Sequence, residues 1–229
     1  QHALTTSTKY KNSNITAIDL SKKSLSYAKR KADELKIKNI EFIEIDLLDI
    51  KKIKRKFNII ESVGVLHHMQ DPFLGWRTLY ESLEPHGLMM IGLYSKIARQ
   101  HIQRIRNDIK KRKIESIQKN IINYREKIIS SDTDDHVILK KSSDFYSVST
   151  LRDLIFHTQE YTFTIPEIEK FIKSLKLEFC GFENKEIVNL FKKVNKYPED
   201  LYNLNLWGEF ENNNPRIFAG MYQFWCQKK

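Results

Sequence analysis

One segment constrains the fold more than any other: Asn58-Ile-Ile-Glu-Ser-Val-Gly-Val-Leu-His-His-Met-Gln-Asp-Pro72. An apolar run of strand length ends at a glycine, two histidines follow, and Asp71-Pro72 opens a helix, because proline suits the first turn, where no intrahelical N–H bond is needed. The same alternation precedes and follows it. Ile15-Thr-Ala-Ile-Asp19 reads as a strand. Ser21 reads as the N-cap of a helix with Leu25, Ala28, Ala32 and Leu35 at helical spacing, and Ile40-Glu-Phe-Ile-Glu-Ile-Asp46 as a second strand. Phe57 to Val65 is a third strand, apolar enough for burial on both faces of a parallel sheet. Phe73, Trp76, Leu79 and Leu83 then mark a helix, Pro85-His-Gly87 a turn, and Leu88 to Leu93 a fourth strand. Strand and helix alternating at this pace predict an α/β fold with a doubly wound, mostly parallel sheet.

Beyond Ser95 the pattern changes. Isoleucines from Ile97 to Ile128 at helical spacing, among many basic residues, predict a long or broken helical region. Ser130-Ser-Asp-Thr-Asp-Asp135 is expected to be a polar loop. Helices are predicted from Ser149 to about Glu160, from Ile165 to Leu175, and around Val188 to Val194. Strands are predicted at Leu177–Phe182 and Ile217–Cys226, and a loop around Trp207-Gly-Glu-Phe210. The chain therefore divides into residues 1–95, an incomplete core, a helical insertion or cap at 96–164, and a return to the core at 165–229 with the last two strands. A short helix is expected to begin at His2.

Composition narrows the class. No apolar run approaches the roughly 20 residues that span a bilayer, so no membrane partner is expected. No basic segment followed by an apolar core opens the sequence, so no secretory leader is expected. Cys180 and Cys226 lie in apolar, strand-like surroundings, which suits buried thiols in a reducing, cytoplasmic setting. The net charge of +10 invites a nucleic-acid partner, but the basic residues are scattered apart from a concentration between Arg99 and Arg125. Metal binding is not expected, since adjacent histidines on a turn diverge and no third ligand is evident.

The motifs ending at Asp19, at Gly64 and at Gly92 together resemble class I S-adenosylmethionine-dependent methyltransferases, with a Rossmann-like fold. The resemblance implies S-adenosyl-L-methionine as cofactor, lying across the carboxyl ends of the strands. Asp19, followed by Leu20, matches the acidic residue that holds the ribose hydroxyls. Asp46, 27 residues on, matches the one facing the adenine amino group, with Leu47 an apolar wall. Gly64 matches the close approach of backbone to the sulfonium. The family's glycine-rich loop and first strand do not appear before Asp19, and that strand belongs between those ending at Asp19 and Gly64. The chain is accordingly expected to be a fragment of a longer protein.

The second half, through Gly92-Leu-Tyr-Ser-Lys-Ile-Ala-Arg99, Asp144 to Glu160 and Gly220-Met-Tyr-Gln-Phe-Trp225, is similar to a bacterial group of methyltransferase domains often joined to tetratricopeptide repeats. An upstream repeat region is thus an expected partner. His67, His68 and His157 are candidate general bases, since imidazole titrates near neutrality. Arg152 or Arg99 would fix an anionic group of the acceptor, with Tyr94 and Tyr146 as pocket walls. The function expected is methyl transfer to a small molecule or a protein-linked group. Two rivals stay open: a nucleic-acid methyltransferase using the basic insertion, and a non-catalytic interaction module without a working cofactor loop.

Overall fold

A computed structural model describes residues 2–157 and 160–229. In chain order these form α1 (His2–Lys9), β1 (Ile15–Asp19), α2 (Lys22–Glu34), β2 (Ile40–Glu44), β3 (Phe57–Val63), α3 (Pro72–Glu81) and β4 (Leu83–Leu93). Four helices follow: α4 (Gln100–Lys111), α5 (Gln118–Ile129), α6 (Asp134–Leu139) and α7 (Val148–Ile155). The chain returns through α8 (Ile165–Ser174), β5 (Leu177–Phe182), α9 (Lys185–Val194), α10 (Leu204–Asn213) and β6 (Tyr222–Lys228). Short 3-10 turns cover Leu47–Ile53 and Leu66–His68.

Side-chain caps set the helix starts near the site. Ser21 Oγ accepts from Ser24 N–H at 3.2 Å, and Asp71 Oδ1 accepts from Phe73 and Leu74 N–H at 3.0 and 2.9 Å. Thr164 and Glu167 form a reciprocal capping box ahead of α8, with Pro166 in its first turn.

The strands form two sheets. β1 and β2 pair in parallel; the second sheet has the order β3-β4-β6-β5, in which β6 runs antiparallel to both neighbours. The division falls between β1 and β3, where the sequence led us to expect an absent strand. It corrects one expectation: β3 is not buried on both faces. Ile59 is 48% exposed, because β3 is an edge strand paired only with β4 among the described residues. The N-terminal helix links the two sheets. Glu61 on β3 accepts from Thr6 Oγ1 at 2.7 Å and lies 2.9 Å from His2 Nε2, while Asn39, just before β2, donates to the carbonyls of Ser7, Tyr10 and Ser13.

The four-stranded sheet carries the main core. Trp76, Phe171 and Phe224 meet on one side, and Trp207 stacks on Phe191 at 3.7 Å. Tyr222 Oη donates to buried Glu211 and joins α10 to the sheet. Helices α4 to α7 have a separate core of Ile102, Ile105, Ile109, Ile121, Tyr124 and Ile128 with Leu151 and Ile155, so the insertion packs largely on itself.

Several boundaries differ from the sequence reading. Trp207 lies in a helix, not a loop: Asn203 caps it, and Leu204, Trp207 and Phe210 turn one buried stripe inward despite Gly208. The acidic loop becomes helical from Asp134, because two aspartates in the first turn suit the positive end of a helix. Strand β4 begins earlier, at Leu83, with Pro85-His-Gly87 bulged out of the pairing and His86 at φ 61°. The basic helix breaks after α4, where Lys113 takes φ 52°. Strand β6 starts later than expected, after a turn in which Ala219 N–H reaches the Arg216 carbonyl. Helix α7 stops at Ile155; residues 158 and 159 of the predicted helix, like Gln1, lie outside the described residues.

Candidate active site

A cleft of about 690 Å³ separates the two sheets. Ile59, Ile60, Glu61 and Ser62 all line it. Consecutive residues of a strand point to opposite faces, so the open edge of β3 itself forms that wall. Asp19 and Leu20 at the carboxyl end of β1 line the opposite side, with Ile45, Asp46 and Leu47 just past β2. Each aspartate spends one oxygen on its own turn: Asp19 Oδ1 accepts from Ser21 N–H and Asp46 Oδ1 from Leu48 N–H, both at 2.8 Å. The second oxygen of each has no hydrogen-bond partner among the described residues. Gly64 lies where β3 ends, at φ +78°, which side chains rarely tolerate. Its lining position lets bare backbone face the cleft.

A second cavity, of about 400 Å³, opens between the end of β4 and α7, lined by His68, Tyr94, Arg99, Asp144, Thr150, Asp153, Leu154, His157 and Glu160. The stretch from Glu160 to Phe163 delivers one wall. Tyr161 N–H bonds the His67 carbonyl, Phe163 N–H the Tyr94 carbonyl, and Lys96 N–H the Phe163 carbonyl, each at 2.8 Å. This places the Glu160 carboxylate, 1% exposed, against two guanidinium groups. Arg99 makes a two-pronged contact with it at 3.1 Å per prong, and Arg106 Nη2 reaches it at 2.9 Å while also donating to the Leu154 carbonyl. Arg99 also lies over the Tyr94 ring, 3.7 Å from its centre.

The aromatic contacts run onward from Tyr94. Its ring lies 3.9 Å from His67; His67 lies 4.4 Å from His68, and His68 lies 4.6 Å from His157. His67 is fully buried. Burial, reinforced by His68 and Arg99, pushes its pKa down to about 3, and the pull of the Gly92 carbonyl opposes this only weakly, without hydrogen-bond geometry. Burial likewise raises the pKa of the Tyr94 phenol. His68 lines both cavities, so the two meet at this residue.

The five residues proposed from sequence for the cofactor, Asp19, Leu20, Asp46, Leu47 and Gly64, all line the cleft. His68, His157, Tyr94 and Arg99 line the smaller cavity. The other three fall outside both linings. His67 is walled in behind Tyr94, and Tyr146 is 71% exposed. Arg152 is exposed on α7 while its neighbours Asp153 and Leu154 face the cavity. Arg99 lines the cavity but is already committed to Glu160, so it does not await an anionic ligand. Neither His157 nor Glu160 is on the helix of Arg152, which ends at Ile155; both lie on the segment after it. Asp144, Thr150 and Arg106 were not expected at the site: Asp144 and Thr150 sit in polar surroundings, and Arg106 is one of many basic residues in a helical stretch. Only the fold distinguishes them.

Comparison with known proteins bears on the family and the fold. A family model described as a methyltransferase domain matches residues 2–144. The protein syc1184_c of Synechococcus sp. is 26% identical over 180 residues, which make up 75% of this chain and 43% of that protein. PKMT2 from Rickettsia typhi superposes with a TM-score of 0.63 at 17% identity, covering 98% of this chain and 45% of PKMT2. The [4+2]-cyclase SpnF superposes at 0.52 with 12% identity, over 100% of this chain and 70% of its own. The chain thus spans less than half the length of syc1184_c and of PKMT2. A cyclase on a similar backbone is a reminder that fold alone does not choose a reaction. With the family match covering well over half of its length, the chain belongs to the methyltransferase domain family.

Proposed function

We propose that this domain transfers a methyl group from S-adenosyl-L-methionine, held in the larger cleft, to an acceptor in the smaller cavity. The observation that carries the reading is the meeting of the two at His68. A donor and an acceptor must lie within reacting distance, and much of the rate of such a displacement comes from alignment and exclusion of water.

The cleft suits the cofactor chemically. Two ribose hydroxyls and an adenine amino group are hydrogen-bond donors, and the carboxylates of Asp19 and Asp46 each keep an oxygen to accept them. Ile18, Leu20, Leu47 and Leu48 give apolar walls for a purine. The cofactor, when bound, supplies a methyl group on positively charged sulfur that leaves as a neutral thioether. A solved complex of Rickettsia typhi PKMT2 contains AdoHcy; it superposes on this chain with a TM-score of 0.63 at 17% identity, over 96% of this chain and 44% of PKMT2, which supports the reading at the level of fold.

The residues of this chain then have separate tasks. Asp19 and Asp46 orient the nucleoside, and Gly64 keeps side chains away from the reacting end. His68, at the junction, is placed to receive a proton from an acceptor that carries one, with His157 next to it. His67 stays neutral and supports Tyr94. In the basic insertion Arg104, Arg106 and Arg112 are paired with Asp135, Glu160 and Asp108, which reduces its attraction for a nucleic acid without removing it.

Calorimetric titration with S-adenosylhomocysteine tests this proposal. One-to-one binding is expected, weakened about tenfold or more by Asp19→Ala, the loss of a hydrogen bond to a charged acceptor. No binding, or binding indifferent to Asp19→Ala and Asp46→Ala, would overturn it.

A further inference from the structure

We infer that the acceptor cavity takes a cationic amine. The inference rests on the reading of this cavity as the acceptor site, and it concerns the class of molecule that enters it. The lining holds three carboxylates, Asp144, Asp153 and Glu160, against one guanidinium, Arg99. Adding Arg106 behind Glu160 still leaves the balance negative. The distribution matters more than the sum. Glu160 is engaged by both arginines, and the face of Arg99 is covered by Tyr94. An anionic ligand would therefore meet no unpaired guanidinium in the lining. Asp144 and Asp153 are in the opposite condition: neither side chain makes an ion pair or a hydrogen bond among the described residues, and Tyr94 and Leu154 between them offer apolar surface. Unpaired carboxylates beside apolar surface favour an ammonium group on an aliphatic stem.

The histidines complete the argument. An ammonium nitrogen has no lone pair, so an amine acceptor must give up a proton before or as its nitrogen bonds to the methyl carbon. The imidazoles of His68 and His157, 4.6 Å apart in the same lining, can take that single proton, while the electron pair of the broken methyl–sulfur bond stays on sulfur. The cavity, about 400 Å³, suits one small amine or the end of one amine-bearing side chain.

The test is a pair of ligand-observed NMR titrations, one with n-butylamine and one with butyrate, with S-adenosylhomocysteine binding followed in parallel. Butylamine is expected to bind at least tenfold more tightly than butyrate, and the double variant Asp144→Asn/Asp153→Asn to lose that preference. Neither carboxylate makes an ion pair or hydrogen bond among the described residues, so the variant should stay folded, and unchanged thermal unfolding checks this. Added salt should weaken butylamine binding in the parent protein as a second readout. Equal binding of the two probes, or stronger binding of butyrate, overturns the inference. If S-adenosylhomocysteine binds and butylamine does not, the amine assignment falls and the methyl-donor reading stands. If butylamine binds selectively and S-adenosylhomocysteine does not, the reverse holds.

Discussion

The two sheets differ sharply in how they are held. In the four-stranded sheet, Met89, Ile91, Leu93, Tyr222, Phe224 and Cys226 are all fully buried on the two inner strands. In the two-stranded sheet no side chain of β1 or β2 is fully buried, and α2 buries only Ala32. Yet the two-stranded half carries Asp19 and leads to Asp46. The residues proposed to hold the cofactor thus sit on the part of the molecule with the least core, and the packing energy sits elsewhere. Regions with few buried apolar contacts open locally at low cost. A ligand that bridges both halves would stabilise the weaker one by mass action.

The largest effect should come from removing the strongest packing on the well-held side. Trp207→Ala deletes a fully buried ring stacked on Phe191 and is expected to cost about 3–5 kcal/mol in denaturant unfolding. A loss under about 1 kcal/mol would break the contrast. Glu160→Gln leaves Arg99 and Arg106 buried without their charge partner, with an expected cost of about 3 kcal/mol; thermal unfolding reads it.

Gly64→Ala forces a Cβ into a left-handed backbone at φ +78° and should cost about 1–2 kcal/mol. Because nothing closer than Met221 crowds that position, the loss should appear in stability without a collapse of the fold.

His67 gives a pH test. Its folded pKa of about 3 lies below the ordinary value of 6.5, so unfolding takes up a proton in between. The stability that follows from keeping it neutral is full above pH 6.5 and is lost as pH falls toward 3. His101, held down to about 4, acts in the same sense. His67→Phe should make the acid limb of a stability–pH curve shallower while leaving stability at pH 8 nearly unchanged; an identical limb would contradict the assignment. The smallest effect is expected on the loosely held side: Leu35→Ser, at a side chain 62% exposed on the end of α2, should stay within about 0.5 kcal/mol.

Much of the cleft was legible in the sequence. Asp19, Asp46 and Gly64 each end a strand or follow one, and strand ends are local features that alternation and turn residues mark directly. The proposed acceptor cavity was only half legible. His68 and Tyr94 follow strands in the same way, but Asp144, Thr150 and Glu160 reach the site through long-range packing of α7 and the Tyr161–Phe163 segment on the β4 end, which no local pattern encodes. Arg99 was found for its charge, but its pairing with Glu160 was not, since that partner lies 61 positions away. Trp207 was missed as helical because Gly208 interrupts a pattern whose buried stripe only the core reveals.

The central claim is that a donor cleft and an acceptor cavity share His68. Histidine-selective NMR, with His68 assigned through His68→Gln, tests it most directly. The His68 resonance is predicted to shift with S-adenosylhomocysteine alone and again with n-butylamine, while His157 responds to the amine and His86, remote from both cavities, to neither. A His68 signal indifferent to both ligands would contradict the account.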